Sequence, residues 1–163
     1  MVATAASSIA VIGRLNVNGT STIGASGGNI SLTSNTTIGT SGNATIAGNI
    51  IGAIALTKSG SGTLTLSGNN AYTGTTTVSA GTLVVTGSLS DDTDVVVMNG
   101  ATYTIGQSDT IASLSGAGSV NLANNILTLA NASGTYSGQM SGSGGLVLTS
   151  GTQVLSGNNT FSG

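Results

Sequence analysis

The sequence contains no cysteine, histidine, proline or tryptophan, and only 4% of its residues are charged. Without cysteine no disulfide can form, and without cysteine or histidine the usual zinc, haem, iron-sulfur and blue-copper sites cannot be built. We therefore expect no cofactor, and we assign no catalytic, cofactor-binding or metal-binding residue from the sequence.

The basic residues are limited to Arg14 and Lys58. Two cations cannot neutralise a run of phosphates, so no nucleic-acid partner is expected. The longest apolar run, Ile50 to Leu56, is too short to span a bilayer, so no membrane insertion is expected either. Met1 to Gly13 lacks the basic start and long apolar core of a secretory signal, which predicts a mature segment, an excised fragment or an unusually exported protein.

The amino-acid composition and the pattern of apolar residues favour an ordered all-β chain. Glycine supplies 27 of the 163 residues without proline or a three-residue period, which excludes collagen. Apolar residues recur at a spacing of two within short runs such as 63–66, 82–85, 102–105 and 126–129, which is the strand signal. Pairs rich in glycine and asparagine separate these runs and indicate tight turns. We predict many short strands and no helices.

Two architectures fit this succession of short strands and tight turns: a closed sandwich or barrel, and a parallel β-solenoid. The only aromatic residues are Tyr72, Tyr103, Tyr136 and Phe161, fewer than a sandwich core of this size normally carries. A solenoid has a narrow interior that Leu, Ile, Val and Ala can fill, so it is favoured. At roughly 20 residues per coil we expect about eight coils and a stack of about 40 Å.

Internal repetition supports this interpretation. Residues 66–74 (LSGNNAYTG) recur as residues 155–163 (LSGNNTFSG), at an offset of 89 residues. Gly60-Ser61-Gly62 is similarly matched by Gly142-Ser143-Gly144. These glycine-serine segments are interpreted as corners and not as phosphate-binding loops, since no helix is predicted after them.

Residues 60–85 (GSGTLTLSGNNAYTGTTTVSAGTLVV) resemble the autotransporter-associated β-strand repeat, the passenger-associated repeat of bacterial autotransporter adhesins. Residues 113–120 resemble the sequence between such repeats. The resemblance extends over about residues 29–163, and residues 1–28 are assigned as N-terminal coils that match less well. It implies a right-handed parallel β-helix on or outside the cell, used as a stalk, an adhesin scaffold or an aggregation surface.

All four carboxylates are aspartates: Asp91, Asp92, Asp94 and Asp109. Paired carboxylates can hydrolyse glycosidic bonds, and the group 91–94 has oxygen ligands that could in principle bind calcium. Aspartate before a strand more often accepts backbone hydrogen bonds at a corner, and we favour that interpretation. Whether Asp91, Asp92 and Asp94 bind calcium is left open.

Lys58 is the only candidate base for a nucleophilic serine at Ser59 or Ser61, but the resemblance to the repeat family implies a surface lysine at this position. Threonine-rich segments such as 75–77 raise ice binding as an alternative function, although threonine does not return at one fixed position in every expected coil.

The functional prediction is a structural extracellular β-solenoid that forms or extends a surface fibre or adhesin stalk by head-to-tail stacking. Its partners would be further copies of itself, with cell-surface glycans or neighbouring cells as additional contacts. Low charge, uncapped ends and the apolar run Val95-Val96-Val97-Met98 favour such association. The alternatives are an ice-binding solenoid and an excised passenger fragment of a larger autotransporter adhesin.

Overall fold

The computed structural model describes residues 13–163 of the chain, so the first twelve residues of the predicted N-terminal segment 1–28 lie outside the described residues. Within this range the chain forms twenty short strands and no helix. The strands are β1 (Arg14–Val17), β2 (Ser21–Ile23), β3 (Asn29–Ser31), β4 (Thr36–Thr40), β5 (Asn43–Ile46), β6 (Asn49–Ile51), β7 (Leu56–Ser59), β8 (Thr63–Leu66), β9 (Thr76–Val78), β10 (Thr82–Val85), β11 (Val95–Val97), β12 (Thr102–Ile105), β13 (Asp109–Ile111), β14 (Leu114–Gly116), β15 (Ser119–Asn121), β16 (Ile126–Leu129), β17 (Thr135–Tyr136), β18 (Gln139–Ser141), β19 (Gly145–Leu148) and β20 (Val154–Leu155).

The strands stack into the sides of a parallel solenoid. The first sheet has the order β1-β4-β7-β9-β11-β14-β17-β20, and the second has the order β2-β5-β8-β10-β12-β15-β18. The third side contains β3-β6 and β13-β16-β19, with the bridge between Asn69 and Ser88 in the interval between them. Every strand pair is parallel, which confirms the predicted solenoid and excludes the sandwich of antiparallel hairpins.

The number of turns is about seven in the described residues, against the expected eight. Partners in the first sheet are 23 residues apart at Arg14 and Thr37, and 19 apart at Thr76 and Val95. The described residues therefore complete seven steps and begin another, and the first twelve residues are not part of this count. Seven steps correspond to a stack of about 34 Å. The hand of the winding stays a prediction from the family resemblance.

The core follows from the two-residue alternation. In the second sheet Leu64, Leu83, Tyr103 and Val120 lie in one inward column, each 0% exposed, because consecutive strands pair in register. At the corners, glycine allows successive coils to approach closely: a Cβ atom on Gly87 would overlap the backbone carbonyl of Gly68. The described range contains no helix long and apolar enough to cross a bilayer.

Candidate functional site

The C-terminal face of the rod is built from β19 and β20, the last strands of their sheets, and from residues 159–163, which lie over β18. Among the described residues β19 and β20 are each paired on one edge only, whereas Met140 of β18 accepts from the Thr160 N–H and donates its own N–H to Asn159 Oδ1. In the inward column of the third side, Leu129 is 0% exposed whereas Leu148, one coil later, is 42% exposed. The face thus presents unpaired backbone groups together with core leucine, which is a template for another strand.

An asparagine at this face has an unused hydrogen-bonding position. Asn70, in the first copy of the repeat, accepts from the Ile50 N–H at 3.0 Å and donates from Nδ2 to Gly68 O and, in the following coil, to Ser88 O, both at 2.9 Å. Its counterpart Asn159 likewise accepts a backbone N–H from the preceding coil and donates to a carbonyl two residues back. The bond to a following coil has no counterpart at Asn159 among the described residues.

The outward side of the second sheet carries columns of threonine. Thr63, Thr82 and Thr102 are partners in consecutive strands and form one column, while Thr45 and Thr65 are partners in the neighbouring column. That second column continues through a valine to Thr104. None of these hydroxyls has a hydrogen-bond partner among residues 13–163. Threonine therefore does recur at fixed positions in the central coils of this sheet, although the sequence alone did not reveal this regularity.

The acidic residues serve different structural purposes. Asp94 accepts a hydrogen bond from Ser113 Oγ at 2.5 Å across adjacent coils, so its donor is a side-chain hydroxyl and not the backbone N–H expected for a corner aspartate. Asp91 and Asp92 are exposed, and in the described part of the chain no group of three acidic side chains is arranged to hold a metal ion. Asp109 is only 9% exposed, and its Oδ2 accepts from the Leu89 N–H at 3.0 Å. Its carboxyl therefore lies in the interior and is not presented to a substrate.

The expectation that Lys58 is a surface residue is wrong. Its side chain is 0% exposed and occupies the inward column between Ile38 and Val78. The ammonium is accommodated because it donates to the carbonyl oxygens of Ser59, Gly60 and Ala80 at 2.9, 2.9 and 3.0 Å. A nucleophile-activating role for Lys58 would require a serine hydroxyl as its partner, whereas these acceptors are backbone groups.

The apolar run 95–98, which was expected to favour association between copies, is also largely buried. Val95 and Val97 are buried in β11, and only Met98 is strongly exposed, at 47%. Most of this run therefore stabilises the core and offers little surface for association.

The interior contains polar groups that the sequence pattern did not predict. Tyr72, Tyr103 and Tyr136 are all fully buried. The Tyr72 hydroxyl pairs with Thr76 Oγ1 at 2.6 Å and that of Tyr136 donates to Gly118 O at 2.7 Å, whereas that of Tyr103 has no partner. In the sequence, the feature that marked these positions was an aromatic residue flanked by glycine and threonine. The hydrogen bonds of the tyrosine hydroxyls depend in addition on how successive coils are aligned.

The fold and its repeated asparagine corners define a repeat-built parallel β-solenoid. In agreement, the family model of the passenger-associated-transport-repeat matches residues 56–85 and 150–163. No curated protein and no solved structure matches the chain. The matched segments are narrower than the 29–163 range of the resemblance noted in the sequence.

The chain thus carries the passenger-associated transport repeat, which confirms the sequence-based recognition. The similarity extends over these matched segments, which make up 44 of the 163 residues.

Proposed function

We propose that this solenoid is a structural rod of the cell surface that lengthens by head-to-tail stacking and supports adhesion, cell aggregation or a biofilm matrix. The observation that carries the proposal is the C-terminal face, where strands with one unpaired edge surround the half-exposed Leu148. A partner with the same coil geometry could pair with β19 and β20 at once.

The occupant that we propose for this face is the first coil of a second copy. A second copy has the required parallel strands and corner spacing, and its β1 is paired on only one edge among the described residues. The net charge of -2 on 163 residues offers little electrostatic repulsion between copies. Because the two surfaces in contact would differ, each addition would leave a new C-terminal face, and the contact would propagate into a fibre.

Head-to-tail stacking can be tested by comparing substitutions at two adjacent residues of β19 that are equally exposed. Leu148 and Val147 are both 42% exposed, but Leu148 follows the buried Leu129 column whereas Val147 follows the outward Thr128. Leu148→Lys would place a charge in the interface between coils, and Val147→Lys would place it on the outer surface.

We expect wild type and Val147→Lys to form rods whose length grows with concentration, in increments of about 34 Å per chain. Leu148→Lys should remain a single short rod. Negative-stain microscopy and analytical ultracentrifugation measure this directly, and circular dichroism checks that both variants are folded. Single rods for the wild type at every concentration would contradict the stacking proposal and favour a fragment of a longer passenger.

Once a fibre forms, its rows of outward serine, threonine and asparagine would repeat along its length. Individually weak contacts with surface glycans would then act together, since linked sites bind with a high effective concentration. Glycan partners and the adhesive role are parts of this proposal.

A second candidate function, ice binding, is favoured by the threonine columns of the second sheet. Their hydroxyls repeat at about 4.8 Å between coils and about 6.6 Å along a strand, a flat and regular array that can order water. Thermal hysteresis of the wild type would support it, and Thr65→Tyr should abolish the effect while Ile51→Tyr, an outward position of the third side whose partner is Ser31, should preserve it. No hysteresis at millimolar protein would exclude it.

A further inference from the structure

Asp109 lies in an inward column whose other members are mostly apolar. The residues before and after it in this column are Leu89 and Leu127, which are 3% and 0% exposed. Asp109 itself is 9% exposed. Its carboxylate receives hydrogen bonds from the backbone N–H groups of Leu89 and Thr110.

The groups that face this carboxyl do not neutralise it. Tyr72 and Tyr103 lie within its electrostatic field, but the Tyr72 hydroxyl is paired with Thr76, and the Tyr103 hydroxyl makes no hydrogen bond. The charged group that acts on it is Asp91, which has the same sign.

The two basic residues of the sequence make their hydrogen bonds with other groups and not with Asp109. The Lys58 ammonium is held by backbone carbonyls, and Arg14 lies in the first coil, where it hydrogen-bonds Asn16. Burial therefore dominates and raises the pKa of Asp109 to about 6, with repulsion by Asp91 adding to it and the backbone hydrogen bonds opposing it.

The same column contains a neutral counterpart. Asn70 precedes Leu89 in it and accepts a backbone N–H from the preceding coil, as Asp109 does. Asn70 is 2% exposed, and its Nδ2 also donates to backbone carbonyls. The position thus accommodates a neutral polar side chain, and the ionised carboxylate is the form that the interior disfavours.

We propose that Asp109 is a proton-controlled element of the rod: in mildly acidic surroundings its carboxyl is neutral, and the central coils are then more stable than at neutral pH. Its effect is independent of whether the rods stack. The surface rod would become more resistant to unfolding as its environment acidifies.

The direction follows from proton linkage. The folded chain holds the Asp109 proton up to about pH 6, whereas the unfolded chain releases it near 3.8. The added stability is therefore complete below about pH 3.8 and is lost as the pH rises through about 6. Between pH 4 and pH 7 this corresponds to an increase of about fiftyfold in the unfolding equilibrium constant.

Urea unfolding of the full chain from pH 4 to pH 7, followed by circular dichroism at a concentration where single rods prevail, tests the proposal. The wild type should show the increase in the unfolding constant, and Asp109→Asn should lose it because asparagine keeps the acceptor without the charge. Asp92→Asn removes the same charge from an exposed position and should behave as the wild type.

Asp109→Leu, which copies the neighbouring leucines of the column, serves if the asparagine variant does not fold, and it should also lose the pH dependence. A wild type with a constant unfolding equilibrium over this range would overturn the proposal. Retention of the full pH dependence in the folded Asp109 variants would overturn it equally.

Discussion

Replacing Lys58 by methionine isolates the contribution of the buried ammonium. Methionine keeps most of the side-chain volume, so the packing against Ile38 and Val78 is largely retained. The change removes the donor to three backbone carbonyls. Among residues 13–163 no other hydrogen bond reaches the Gly60 or Ala80 oxygen.

We expect Lys58→Met to lower the free energy of unfolding at pH 7 by about 2–4 kcal/mol. Each of the two carbonyls left without a donor costs about 1–3 kcal/mol, and removing the charge from the interior returns part of that loss. For a chain of this length the decrease corresponds to a fall in melting temperature of about 4–16 °C. Urea unfolding followed by circular dichroism measures the difference.

Ile38→Met is the matched control, because it changes an apolar residue in the same column and should cost less than about 1.5 kcal/mol. The pH dependence gives an independent check. Burial lowers the pKa of Lys58 from 10.5, so the wild type should gain stability as the pH rises from that lowered pKa toward 10.5, and the methionine variant should lack this gain. A methionine variant as stable as the wild type at pH 7 would refute the reasoning, because the cost of desolvating the ammonium would then equal or exceed its hydrogen bonds.

Two further comparisons test the corners and the interior. Gly87→Ala should lower the free energy of unfolding by about 1–3 kcal/mol or more because its Cβ would overlap the Gly68 carbonyl, whereas Gly145→Ala should change it little, since the nearest atom would be 3.5 Å away; equal melting temperatures would contradict the close approach of coils. Tyr136→Phe removes a hydroxyl that bonds backbone carbonyls and should cost about 1–3 kcal/mol, whereas Tyr103→Phe removes an unpaired hydroxyl and should be neutral or stabilising by about 1 kcal/mol. Thermal melting of both tyrosine variants decides this, and a larger loss at Tyr103 would be the opposite of what is expected.

The strands of the central coils could be predicted from local pattern because alternation fixes which side chains face inward. Residues 63–66 and 102–105 alternate polar and apolar, and they form β8 and β12 with the apolar residues buried. In β10 the inward residues Leu83 and Val85 are likewise buried, while the outward positions are Thr82 and Val84. The length of a coil was also predictable, since the corners recur at nearly constant intervals. Both properties depend on residues close together in sequence.

Coil register could not be predicted in the same way. The threonine columns arise because Thr63 meets Thr82 and Thr82 meets Thr102, at separations of 19 and 20 residues. A difference of one residue at a corner would have moved each threonine to another row. The burial of Lys58 escaped prediction for a related reason: the carbonyl of Ala80, which helps to hold the ammonium, comes from the following coil.

The internal repeat shows which part of this architecture the sequence encodes most directly. The segment 66–74 follows β8 in the second sheet, whereas its copy 155–163 follows β20 in the first sheet. The two copies therefore lie on different sides of the rod, and the offset of 89 residues does not correspond to a whole number of coils.

Asn70 and Asn159 nevertheless make the same bond to the N–H of a preceding coil, on the third side and on the second. The motif thus specifies a corner and its attachment to the coil before it, independent of the side on which it lies. A rod built from such corners can be lengthened by any following coil with matching strand spacing, and the unused Nδ2 position of Asn159 is where that coil would supply a carbonyl.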